Sequence, residues 1–292
     1  MTTLSIKRRP LLCALVAAFV MALAVPGAAS AANGPSAYRH LGAWVDIYDQ
    51  GVLNAASSHV SRMKNRGVET IYVETANDRS ARFVNRSGIG KLVQFAHNRG
   101  IKVVAWTLPG HTNSDDDWNK AKAALNFRVQ RSNGNYDRFD GFALDIESTK
   151  VSNIQTRNRR MLALSRKIDN NTRKPLGAIT FSPVFINGPW PNFPWGSVKK
   201  IYDVMMPMCY SSYHYNTQRS VRQYTEKCVR ILRQKTSAGK PIHMVGGIAD
   251  KMGSGESEGF VNGVRNSNIS GGSLYDYVTS AASDWKQLRR IP

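Results

Sequence analysis

Two carboxylates, Asp145 and Glu147, stand one residue apart at the end of the run Asp140-Gly141-Phe142-Ala143-Leu144-Asp145-Ile146-Glu147. The run reads as a buried strand. Side chains alternate along a strand, so Ala143, Asp145 and Glu147 share one face while Phe142, Leu144 and Ile146 take the other. Like charges on neighbouring same-face positions raise at least one pKa and favour a retained or shared proton. A carboxylic acid kept protonated near neutral pH is what general acid catalysis needs. The plainer reading is a pair of strand-end acids that cap the next helix or pair with arginine.

The elements that must position these acids form a repeat. Strand-like segments fall at 41–48, 68–75, 101–108, 141–148, 176–182, 202–211, 242–249 and 272–278, with amphipathic helical patterns between them. Gly67 and Gly100 follow their helices where a left-handed C-cap favours glycine. Eight strand–helix repeats in about 255 residues favour an α/β fold, a single (β/α)8 TIM barrel, over an open sheet. The lack of G-x-G-x-x-G after the first strand weighs against dinucleotide binding.

Active sites of such barrels gather at the C-terminal ends of the strands. There the sequence offers Trp44 and Asp46, Tyr72 and Glu74, Trp106, Asp145 and Glu147, Ser182, Met208 and Tyr210, Asp250, and Tyr275 or Asp276. Any one of them has a dull explanation as a helix cap or barrel filling. As a set, aromatic faces among carboxylates suit sugar rings, whose C–H faces stack and whose hydroxyls bond to acids. Trp190-Pro191-Asn192-Phe193-Pro194-Trp195 reads as either a subsite wall or a packing plug, and Tyr213, His214 and Tyr215 could line the same cleft.

The amino terminus, with Lys7, Arg8 and Arg9 before an apolar run from Leu11 to Val25 and Ala29-Ser30-Ala31 behind it, has the form of a secretory signal peptide. Residues 1–31 are therefore expected to be removed, 32–39 to form a linker, and 40–292 to be the barrel of a secreted, extracellular monomer. No stretch is long enough to be a transmembrane segment. Cys209 and Cys228 remain after cleavage and can pair as a disulfide or stay as buried thiols. Loss of the leader takes the formal charge from +20 to +17. That charge suits anionic cell-wall polymers or merely solubility, and no specific nucleic-acid motif accompanies it.

The run ending in Asp145 and Glu147 resembles the fourth-strand signature D-G-x-D-x-D-x-E of family 18 glycoside hydrolases, the chitinase-like barrels, and Met208-Cys209-Tyr210 resembles their sixth-strand M-x-Y. The resemblance implies that Glu147 protonates the glycosidic oxygen, that Asp145 assists a substrate N-acetyl group acting as nucleophile, and that Tyr210 donates to the acetamido oxygen. Ala143 stands where the family has its middle Asp, and Ser211 where an Asp follows the tyrosine. The first departure removes a group that helps hold Asp145. These differences leave open another sugar, with Glu74 or Asp250 as second carboxylate, or a non-catalytic, lectin-like carbohydrate-binding barrel.

The histidines show no zinc-ligand spacing, there is no nucleophile elbow, and hydrolysis of a carbohydrate by this route needs no cofactor. The glycine-rich stretch from Gly246 to Gly255 could seat a phosphate or form a flexible loop. Asp115-Asp116-Asp117 reads as charge favouring the N-terminus of the helix around Trp118.

Overall fold

The computed structural model describes residues 34–292, so the expected signal peptide lies outside the described residues. Eight parallel strands close into a barrel, each beside the next in chain order and the last paired with the first. They are β1 (His40–Val45), β2 (Thr70–Asn77), β3 (Lys102–Leu108), β6 (Gly141–Ile146), β7 (Leu176–Phe181), β8 (Val204–Met208), β9 (His243–Ile248) and β10 (Gly271–Tyr275). Each expected strand is present. The principal helices are α2 (Ala56–Asn65), α3 (Arg86–His97), α4 (Ser114–Leu125), α5 (Ile154–Asp169), α6 (Trp195–Ile201), α7 (Gln218–Lys235), α8 (Ser254–Ser267) and α9 (Ala282–Leu288), with a short α1 (Gln50–Asn54) before α2.

Alternation along the strands divides the core in two. Outward residues such as Ile71, Val73, Phe142, Leu144 and Ile146 pack under the helices, while Trp44, Tyr72, Val104, Trp106, Ala143, Met206 and Met208 fill the barrel interior. The segment expected as a linker contributes to that interior. Ser36–Tyr38 forms a 3-10 turn, and Tyr38 enters the barrel from below, donating to the carbonyls of Phe142 at 2.7 Å and Pro175 at 3.1 Å. The glycine of the acidic run makes room for it, since a Cβ on Gly141 would stand 2.9 Å from the Tyr38 hydroxyl oxygen.

A two-stranded hairpin, β4 (Val129–Gln130) with β5 (Tyr136–Asp137), lies outside the barrel and was not legible as a strand pair in the sequence. His97 ties it to the barrel, its two ring nitrogens lying 2.7 Å from Asp137 and 2.9 Å from Asp140. The aspartates before Trp118 occupy the first turn of α4, with Asn113 as the N-cap, where their charge meets the positive end of the helix dipole.

Candidate active site

The acidic strand β6 delivers its carboxylates to the barrel mouth because Ala143, one layer below, pairs with Trp106 and Gly177 and faces the interior. Alternation then puts Asp145 on the same side, just inside the mouth, and Glu147 one step further out, past the last paired residue. Both line a cavity of about 300 Å³ with Glu74, Asn77, Trp106, Leu108, Met208, Tyr210, Ile248, Tyr275 and Tyr48. Beneath it a narrow slot reaches Trp44 and Val245.

Polar groups on this cavity lack partners. Asp145 is 5 % exposed and its Oδ1 accepts no hydrogen bond, and the Nε1 of Trp106, 4 % exposed, has none to donate to. A buried unsatisfied polar atom costs about 1–3 kcal/mol, and a ligand that pairs with it recovers that cost. Ala143, the preceding residue on the same face, carries only a methyl and offers Asp145 no hydrogen bond. Burial raises Asp145 well above the usual carboxylate range, and the charges of Glu147 and Glu74 add to it. Burial likewise raises Glu147. The pair therefore retains a proton where isolated acids would have lost it.

Glu74, 4 % exposed, is pushed up to about 7 by burial and by the charges of Asp46 and Glu147, against hydrogen bonds that lower it. Its Oε2 accepts from the Ile47 amide at 3.1 Å. Register along β2 and β3 shifts between Glu74 and Ala76, a bulge that brings Asn77 to the cavity three positions after Glu74. Strict alternation predicts Ala76 there, so Asn77 was not legible. Bulges beside active sites commonly re-aim a side chain in this way.

Asp46 does not line the cavity. It accepts from the Tyr275 hydroxyl at 2.8 Å and from the Tyr48 amide at 2.7 Å, so it orients Tyr275 from behind. Oxygens of Asp46, Asp49 and Asp276 lie within 4.8 Å of one another. Burial and these two neighbours raise Asp49 to about 7. Tyr72 does not line the cavity either: it stacks on Trp44 with centroids 4.6 Å apart and its hydroxyl lies 3.2 Å from His243, below the mouth. Trp44 spends its own N–H on Ser273 at 2.7 Å, which leaves its ring edge for the slot. Asp250 sits in a 3-10 turn after β9, half-exposed and paired with Lys251 at 3.4 Å, away from the cavity. It cannot act as the second carboxylate from there.

Two further depressions continue the cavity. One of about 360 Å³ shares Tyr48, Asn77, Leu108 and Glu147 with it and ends at Arg79 and Lys150, where Lys150 pairs with Asp78. The other, about 160 Å³, shares Met208 and Tyr210 and is lined by Phe181, Ser182, Phe185, Tyr213 and His214. The Phe185 and His214 rings meet there at a tilt of 38°, their centroids 4.4 Å apart. Ser182 accepts from the Tyr224 hydroxyl at 2.9 Å and belongs to the wall of that depression. Ser211 is turned away, its hydroxyl donating to the Gly246 carbonyl at 3.2 Å. Tyr210 is raised by burial and by the charges of Glu147 and Asp145, so its hydroxyl keeps its proton as a donor.

Cys209, between Met208 and Tyr210, is joined to Cys228 of α7 as a disulfide, with the Cα atoms 6.6 Å apart. The loop from Trp190 to Trp195 is a packing plug, because Trp190, Phe193 and Trp195 are all buried and the Trp190 N–H is taken by Asn158 at 2.7 Å. Gly246 and Gly247 serve close packing, against the Phe260 ring and the Met252 sulfur.

No family model and no curated protein matches this chain. Solved structures do. The chain is similar to a chitinase from Chromobacterium violaceum at 12 % identity and TM-score 0.58, over 86 % of this chain and 98 % of that one. It is also similar to an endo-1,4-β-mannanase from Rhizomucor miehei (13 % identity, TM-score 0.61, 85 % and 88 % covered). A third is the spore cortex-lytic enzyme SleL of Bacillus cereus (9 % identity, TM-score 0.62, 86 % and 74 % covered). At such identities the likeness establishes the barrel fold.

Proposed function

We propose that this protein is a secreted glycoside hydrolase that cleaves a polysaccharide, with Glu147 as the general acid. The observation that carries the reading is the set of unpartnered groups on one cavity: the raised carboxyl of Glu147, the orphaned Asp145 oxygen and the free Trp106 N–H. The similar solved barrels, a chitinase and a mannanase among them, support a glycan as substrate.

In this reading the glycosidic C–O bond breaks as its oxygen takes the Glu147 proton, and the anomeric carbon is attacked from its other face by water or by a group the sugar carries. Asp145 is the partner of the acid. Glu74 already accepts from Ile47 and Asn77, whereas Asp145 Oδ1 has no bond to lose and is free for the sugar. Tyr210 donates to the same sugar, and Trp106 and Tyr275 bound its ring.

Hydrolysis of N-acetylated, deacetylated and uncharged glycans by wild type beside Glu147→Gln tests the proposal. Turnover by wild type, reduced at least about a hundredfold in the variant, is expected for a lost general acid. Binding by both proteins without turnover of any glycan would replace the hydrolase with a carbohydrate-binding barrel, the reading that Ala143 and Ser211 favour.

A further inference from the structure

Charge is distributed unevenly over this molecule. Residues 154–240, which contain α5, α6 and α7, hold 16 Lys and Arg against 3 Asp and Glu, whereas the other described residues hold 21 against 17. Several of these cations are used within the fold. Arg157 donates to the carbonyls of Val151, Pro189 and Thr149, Arg233 to those of Ser267 and Asn268, and Lys199 to that of Thr236 at the end of α7.

Arg160, Lys174 and Arg222 are engaged likewise, with the His111 and Thr112 carbonyls, the Phe139 carbonyl and the Glu226 carboxylate. Arg159, Arg166 and Lys167 on α5 and Arg219, Lys227 and Arg230 on α7 are exposed. Among the described residues none of these six forms an ion pair, although the Lys167 ammonium lies over the Trp118 ring, 4.8 Å from its centroid. Arg159 and Arg166 stand two turns apart on one stripe of α5. On α7, Arg219 and Arg230 stand about 16 Å apart along the helix at 1.5 Å per residue. The short α6 follows the strand between theirs, and keeping uncompensated like charges along both α5 and α7 is unfavourable for the isolated molecule.

We infer that the α5–α7 flank is a docking surface for a wall-type polymer that carries an anionic group on each repeat. Repeated anions match cations repeated along two helices, and each contact releases a counterion. α5 and α7 hold no exposed aromatic side chain, so the surface lacks the stacking platforms that bind single-stranded nucleic acid. Both helices begin at the barrel mouth, because α5 follows the strand of Glu147 and α7 follows the strand that leads to Tyr210. A polymer lying on the flank can therefore feed the cleft, and the choice of a wall polymer over other polyanions rests on the hydrolase reading of that cleft.

The test measures binding, not turnover, so it stands or falls apart from that reading. Affinity for polygalacturonate, poly(glycerol phosphate), neutral dextran and double-stranded DNA is measured between about 50 mM and about 200 mM salt. Wild type is compared with R219Q/K227Q/R230Q on α7 and with K64Q/K91Q/K286Q, which removes the same charge from α2, α3 and α9. The α7 triple is expected to lose at least tenfold for an acidic polymer at low salt and the control triple less than threefold, with dextran unbound by all. Preference between the two acidic polymers identifies carboxylate or phosphodiester as the anion and supports the inference in either case. Equal losses in the two triples, no binding of either acidic polymer, or tighter binding of DNA with the same dependence on α7 would overturn it.

Discussion

Asp145 occupies a place where its charge is unwelcome. Burial, Glu147 and Glu74 all favour its protonated form, and no donor compensates Oδ1. A carboxylate whose folded pKa is raised binds a proton that the unfolded chain would release, so its contribution to stability is largest below the unfolded value and is lost as pH rises towards the folded one. Asp145→Asn is therefore expected to raise Tm relative to wild type at about pH 8 more than at about pH 4, as scanning calorimetry at the two pH values will show. The same charges set the working range. As the proposed acid, Glu147 acts only while protonated, so the rate is expected to fall on the alkaline side. Glu74→Gln removes a charge that repels both Asp145 and Glu147, so the pair holds its protons less tightly, and the substitution is expected to move that alkaline limb to lower pH in a profile of kcat/KM. An unmoved limb would place the controlling proton elsewhere.

At the scale of elements, much of the molecule was legible in the sequence. Period-two alternation located all eight barrel strands, and the acids at their ends pointed to one mouth. What escaped notice was decided by contacts distant in sequence. Asn77 reaches the cavity through a register shift that no local pattern signals. Asp46 and Asp250 follow their strands as expected, yet Asp46 is claimed by Tyr275 and Asp250 lies in a turn open to solvent, while Tyr72, the third residue of β2, sits a layer too low. The segment around Tyr38 looked like a linker because its one buried aromatic is recognisable only from the barrel it plugs.

The disulfide belongs to this scale as well, since it fastens α7 to the residue between Met208 and Tyr210. Its cysteines stand 19 positions apart, and closing a loop of that size contributes about 3 kcal/mol in the chain-entropy account. Cys209→Ala/Cys228→Ala is expected to lose about that much in urea unfolding and to lower kcat through a less fixed Tyr210. A stability loss with kcat intact would show that the strand end holds Tyr210 unaided.

At the scale of the whole molecule, a cleft lined by acids lies within a strongly basic protein, with the excess charge on one side. In the proposed account this arrangement separates holding a polymer from cutting it. If the flank serves docking, its α7 triple will slow attack on a long acidic polymer at low salt while leaving a short neutral substrate unaffected, a contrast that parallel rate measurements on the two substrates will show. The central claim, however, is that Glu147 donates the proton that lets the leaving group depart, and it is tested most directly by varying that leaving group. With the sugar that the glycan panel identifies, Glu147→Gln should lose at least about a hundredfold on a natural glycosidic bond. It should lose far less on the dinitrophenyl glycoside, whose leaving group departs without protonation. Equal losses on both substrates, or none on either, would contradict the assignment of Glu147 as the acid.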